Sequence, residues 1–204
     1  MISKLSFAAV VLLISGQVHA ELIQGPGFIT ASTNILSCDT AICGSALDID
    51  QISDNDFSDV APYNGFAGLD GQIGIISLNL VDEYNLQSFT LWNDINVNRE
   101  GVDTFKLHFF DASDNLIQSS SILNAPIGQL APQTYSFASI IQGVSKVDLE
   151  TLTLLTGGVG SRIEIRELAF NGEIPSAVPV PAAIWLFGTA LIGLVGFGKR
   201  RKAA

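Results

Sequence analysis

Between positions 76 and 170 hydrophobic residues recur every second residue, a period that no helix satisfies. Ile76, Leu78 and Leu80 alternate with Ser77 and Asn79; Phe89 and Leu91 alternate with Ser88, Thr90 and Trp92; Phe105, Leu107 and Phe109 alternate with Lys106 and His108. Successive side chains of a strand point to opposite faces, so each run predicts a strand with one buried face. Further strands are predicted at Phe28–Ser32, Leu116–Leu123, Thr134–Ser139, Val144–Leu154 and Ser161–Phe170, separated by turn sequences such as Asp70-Gly71, Asn93-Asp94 and Gly157-Gly158. Eight short strands without a soluble helix predict an all-β fold, an antiparallel β-sandwich or jelly roll over residues 21–172. In the last strand Ile163 and Ile165 share one face, then Leu168 and Phe170 do, which places a β-bulge near Arg166 or Glu167.

The two ends follow a different pattern. Lys4, the apolar run Phe7–Ile14, the break at Ser15-Gly16 and the small-residue site Val18-His19-Ala20 predict a signal peptide over residues 1–20, too short to span a bilayer. Residues 173–177 are read as a linker within a proline-containing stretch that favours an extended spacer. Ala182–Gly198 carries no charge and predicts one transmembrane helix of about 25 Å. Lys199-Arg200-Arg201-Lys202 follows directly; basic residues hold their end in the cytoplasm, which leaves the sandwich outside the inner membrane.

Charge narrows the function. Between the two terminal signals lie all twenty acidic residues and only Arg99, Lys106, Lys146, Arg162 and Arg166 as bases, so that stretch carries 5 − 20 = −15. Such a surface excludes a nucleic-acid partner held by its phosphates. The only cysteines, Cys38 and Cys43, are spaced C-x4-C, which in an exported chain predicts a disulfide rather than a redox pair or a thiolate zinc site. An enzyme is not expected. The sandwich holds one histidine, His108, on the polar side of a strand, and no G-x-S-x-G turn, so no catalytic residue is assigned.

Two groups of residues have binding chemistry. Asp48, Asp50, Asp54 and Asp56 crowd one segment beside Asn55 and Ser58; hard oxygen donors from one loop plus a distant carboxylate are what calcium needs, and the alternative is a solvated acidic loop. The spacing is not that of an EF-hand. Trp92, Tyr63, Phe66 and Tyr84 offer aromatic faces on which a sugar ring can stack, Trp92 and Tyr63 being the chosen candidates; the alternative is that they pack beneath loops.

Two resemblances add to this reading. Val178-Pro179-Val180-Pro181-Ala182-Ala183-Ile184-Trp185-Leu186-Phe187-Gly188, the Gly-rich apolar stretch and the basic Lys199–Lys202 cluster at the C-terminus resemble the PEP-CTERM sorting signal over residues 178–204, with Val180 where that motif has Glu. The resemblance implies an exosortase partner, cleavage near Pro179 and Pro181, and delivery to the cell surface or an exopolysaccharide matrix. The phrases Ile75–Leu80, Tyr84–Asn93, Thr104–Asp111 and Ile163–Gly172, in that order, resemble the discoidin-like, galactose-binding β-sandwich family. Members commonly bind sugars through loops at one end of the sandwich, and many hold one structural calcium near the termini; here the resemblance implies Asp48, Asp50 and Asp54 with Glu167 as the distant ligand. The family's usual tryptophan after the aspartate-rich segment and its long terminal disulfide are absent. The expectation is an exported, matrix-associated protein with a carbohydrate-binding sandwich. Its alternative is a structural matrix or adhesion protein with no defined small ligand.

Overall fold

The computed structural model describes residues 20–38, 40–43, 47–58, 60–93, 95, 100–125, 131–156 and 161–175. The signal peptide short of Ala20, the transmembrane segment and the sorting motif with its basic tail lie outside the described residues. Among those described, no helix is long and apolar enough to cross a membrane.

The described residues form strands β1 (Glu21–Ile23), β2 (Ile29–Thr33), β3 (Phe66–Ala67), β4 (Ile75–Asn93), β5 (Val102–Phe110), β6 (Leu116–Ser119), β7 (Leu123–Asn124), β8 (Gln133–Leu154) and β9 (Glu164–Glu173). All pair antiparallel, in the order β1-β9-β4-β8-β5-β6, with β2 on β4, β3 on β9 and β7 on β5. Among the described residues, helix is limited to one turn at Thr40–Cys43 and a 3-10 turn at Ile49–Ser53.

The period-2 runs are strands as expected, but two predicted pairs are fused. Ile76–Leu80 and Phe89–Trp92 are halves of β4, and Thr134–Ser139 and Val144–Leu154 are halves of β8. Between the β4 runs stands Val81-Asp82-Glu83, which has no residue that forces a turn, so the chain bends through register shifts between Asn79 and Ser88. The first half of β4 pairs with β2 and the second half of β8; its second half pairs with β9 and the first half of β8. One sheet thereby folds across its two longest strands and faces itself. Ring contacts Phe89–Phe105 at 6.0 Å, Phe105–Tyr135 at 5.3 Å and Phe109–Phe137 at 5.1 Å join the layers. Every buried residue of this main core lies between Ile23 and Phe170, so the unit carries its own core.

Strands β1 and β3 are too short to show a period, and the predicted Leu116–Leu123 strand divides into β6 and β7. The phase shift of the last strand is a bulge: Trp92 lies opposite Glu167 and Asn93 opposite Ile165, which leaves Arg166 as the extra residue. From Ile163 to Phe170 every residue is buried, because the 3-10 turn packs on the strand while β1 and β3 pair along its edge. A bulge that turns charged side chains beneath a loop is what creates the site described next.

Candidate functional site

The segment after the 3-10 turn folds over Glu167. Asn55 adopts a left-handed backbone, φ 69°, which asparagine tolerates and which turns its N–H inward to donate to Glu167 Oε2 at 3.2 Å. Asp54 Oδ1 accepts the Asp56 N–H at 2.9 Å, and its Oδ2 accepts from Asn64 Nδ2 at 2.9 Å. Gly65, at φ 133°, brings Asn64 in: a Cβ there would lie 2.5 Å from the Ile165 carbonyl oxygen.

Glu167 is fully buried, and its carboxyl is pushed up to about 8. Burial is the first cause and the neighbouring Asp54 charge the second, opposed by the Gln24 amide and the N–H groups of Asn55 and Leu168. Glu167 Oε1 and Asn64 Oδ1 are buried acceptors without a close donor, and the Gln24 amide nitrogen near the carboxylate is likewise short of a well-formed bond. A hard cation is the group that would satisfy such oxygens, so Asp54, Asn64 and Glu167 fit calcium.

The rest of the predicted acidic set does not join them. Asp48 caps the 3-10 turn, where its N–H is held by Gln51 Oε1 at 3.1 Å, and Asp50 is exposed in the turn. Among the described residues no three acidic, histidine or cysteine side chains converge on one point. Aspartate before a helical turn is a preferred N-cap, and that local role explains where Asp48 sits. Asn64 was not anticipated; its signal is the Asn64-Gly65 turn pair.

Trp92 sits opposite Glu167 on the outer face of β4, half-buried, with its ring 5.0 Å from that of Phe57, which is 40% exposed. Its candidate companion Tyr63 is elsewhere, packed against the small cluster of Cys38, Leu47, Ala67 and Ile95. Phe66 and Tyr84 are core residues. Phe57 therefore takes the place the sequence reading gave to Tyr63. Beyond Trp92 the same face continues through uncharged residues: Thr90 beside Thr134, with oxygens 3.0 Å apart, then Ser88 beside Ser136 and Asn171. A groove of about 590 Å³, lined by Gln87, Ser88, Ser136 and Asn171 among others, closes the row.

At the same end of the sandwich Arg162 ties the loops together. Its guanidinium lies 3.3 Å from Glu100, 3.4 Å from Asp70 and 3.8 Å from Glu164, and its Nη1 donates to Cys43 Sγ at 2.8 Å. Cys38 and Cys43 form a disulfide. It closes a small loop, so replacing both cysteines by serine is expected to lower stability by only about 2 kcal/mol, measured by urea denaturation.

His108 bridges strands: Nδ1 lies 2.8 Å from Ser119 Oγ and Nε2 lies 2.9 Å from Glu150 Oε2, a row across β6, β5 and β8 on the sheet's outer side. These bonds occupy both ring nitrogens in cross-strand pairing.

No protein-family model matches the chain, and no curated protein matches its sequence. Solved structures do match. The family 32 carbohydrate-binding module of Clostridium perfringens NanJ, solved with galactose, aligns at 15% identity over 75% of this chain and 98% of that one, with a TM-score of 0.57. A family 32 module of the C. perfringens GH89 protein, solved with GalNAc-β-1,3-galactose, aligns at 15% identity over 74% and 99%, TM-score 0.54. The family 32 module of Streptococcus pneumoniae EndoD aligns at 11% identity over 74% and 98%, TM-score 0.54. This chain has their fold. The antiparallel β-sandwich expected from the strand pattern is thus the architecture observed, and at 11–15% identity the likeness lies in the fold.

Proposed function

We propose that the chain is an exported, non-catalytic carbohydrate-binding module that engages an extended, uncharged stretch of exopolysaccharide at the cell surface. The observation that carries this reading is the Phe57–Trp92 ring pair, which opens onto a row of neutral hydroxyl and amide side chains on one face. Aromatic faces pair with the apolar faces of sugar rings, and uncharged hydrogen-bonding groups match their hydroxyls without the desolvation cost of a charge. The shared fold with modules solved on galactose-containing ligands supports the same reading. Asp54, Asn64 and Glu167 are assigned as the protein ligands of one structural calcium, whose charge offsets that of the two carboxylates and ties the 54–64 loop beneath Phe57. Delivery rests on the termini: a signal peptide over residues 1–20, an inner-membrane helix at 182–198, and exosortase recognition of Val178, Pro179, Pro181 and the basic Lys199–Lys202 tail.

A glycan array probed with residues 21–175, with calcium and again with chelator, tests the binding reading. The expected result is saturable binding to neutral glycans, at least tenfold weaker for Trp92→Ala, with the variant's melting temperature lowered by no more than a few degrees. Failure to bind any glycan, with the fold intact, would leave the alternative of a structural matrix or adhesion body.

A further inference from the structure

We propose that β8 is also an assembly edge, pairing antiparallel along Gln133–Ile140 with the same segment of a second copy of this chain. In this half β8 pairs only with β4, through Ser88–Leu91; its pairing with β5 begins at Lys146. Among the described residues, therefore, the far side of Gln133–Ile140 carries no strand. Across a cavity of about 260 Å³, lined by Phe109, Leu123, Tyr135 and Phe137 among others, lies a second edge, β6, exposed at all four residues.

Exposed sheet edges are usually guarded by lysine, proline or an inward charge, since unpaired N–H and C=O groups template association. Within Gln133–Ile140 itself no such guard stands, Pro132 lying just before the segment. From Asn115 to Ser145 the chain has no Asp, Glu, Lys, Arg or His, although the exported region as a whole carries 5 − 20 = −15. Apolar side chains add to the patch: Leu116 is 56% exposed, Ile117 41%, Ile122 56% and Ile140 48%.

The charge pattern selects the occupant. Two copies of so acidic a protein repel on most approaches, and this uncharged side is where they meet at least electrostatic cost. Any antiparallel register of Gln133–Ile140 on itself sets uncharged residues opposite uncharged residues, so a twofold, self-complementary contact needs no compensating cations. This inference does not rest on glycan binding: pairing uses the backbone edge of the segment, although its Thr134 and Ser136 side chains belong to the outer-face row.

Sedimentation equilibrium of residues 20–175, which hold every core residue among those described, provides the test. The wild type is expected to pass from monomer to dimer in the micromolar range, and rising salt should tighten the dimer by screening the acidic remainder. Ala138→Lys with Ile140→Lys, both at exposed positions, should weaken it at least tenfold. Asn79→Lys with Val81→Lys, exposed on the other half of the sheet, adds the same charge and should leave the dimer intact or tighter. In the full chain, Ser136→Cys, at the middle of the segment where each copy meets its own equivalent, should yield disulfide-linked dimers on oxidation, and Asn79→Cys should not. A wild type that stays monomeric to hundreds of micromolar, or a dimer that the edge lysines leave unchanged, would overturn the proposal.

Discussion

Replacing Arg162 by alanine is expected to cost about 3–5 kcal/mol of stability. The Glu100 and Glu164 side chains are 3% and 4% exposed, and the Arg162 side chain 11%, so the ion pairs are shielded from the solvent that makes most surface pairs weak. Removing the guanidinium takes its ion pairs away from two buried carboxylates, while Asp70, 65% exposed, is re-solvated at little cost. Lysine should restore only part of the loss. Its single ammonium has the charge but lacks the planar fork that reaches Glu100, Asp70 and the Cys43 sulfur at once. Urea denaturation of the three proteins measures this, and a loss below about 1 kcal/mol for the alanine variant would mean that solvent screens the cluster.

The second large effect is a pH dependence that calcium should abolish. In chelator the Glu167 carboxyl has a folded-state pKa of about 8, above its ordinary value of 4.5, so between those values the folded state holds a proton that the unfolded state has released. Stability therefore falls as pH rises through this window, by up to about 1.4 kcal/mol per pH unit, and levels off above it. The whole fall amounts to a few kcal/mol. Glu167→Gln should flatten the curve and, in chelator at pH 8, be more stable than the wild type, because the amide never ionises beside Asp54. Calcium should flatten the wild-type curve as well, by favouring the ionised form, and should do nothing for the variant. Melting temperatures across pH 5–9, with calcium and with chelator, decide the matter. A flat wild-type curve in chelator would contradict the buried pair, and a steep curve that calcium leaves unchanged would contradict the assigned ligands.

The sheet was legible because its strands alternate over a single buried side, as at Phe105, Leu107 and Phe109, and that pattern depends on nothing distant. The continuity of β4 and β8 was less so: a bend made by register shifts leaves no glycine or proline at Val81–Glu83 to mark it. For the site, Glu167 came from the family resemblance and sits at the phase change around Arg166, where the bulge turns it toward the Asn55 N–H. Asp48 and Asp50 were drawn into the predicted metal set by proximity along the chain, whereas the 3-10 turn uses Asp48 as its cap and leaves Asp50 in solvent. Phe57 escaped notice because no periodic pattern marks a loop residue; its pairing with Trp92 is set by where the loop lands.

Within residues 20–175 Trp92 is the sole tryptophan, the other being Trp185, so indole fluorescence of that unit reports on the proposed sugar platform alone. The most direct measurement is a fluorescence titration of this unit with neutral oligosaccharides, galactosides among them, and with the polymer of the surrounding matrix. Glycan binding at the Phe57–Trp92 pair predicts a saturable change in emission that Phe57→Ala weakens at least tenfold. Emission that no glycan changes, from a folded protein that no glycan binds, would contradict it.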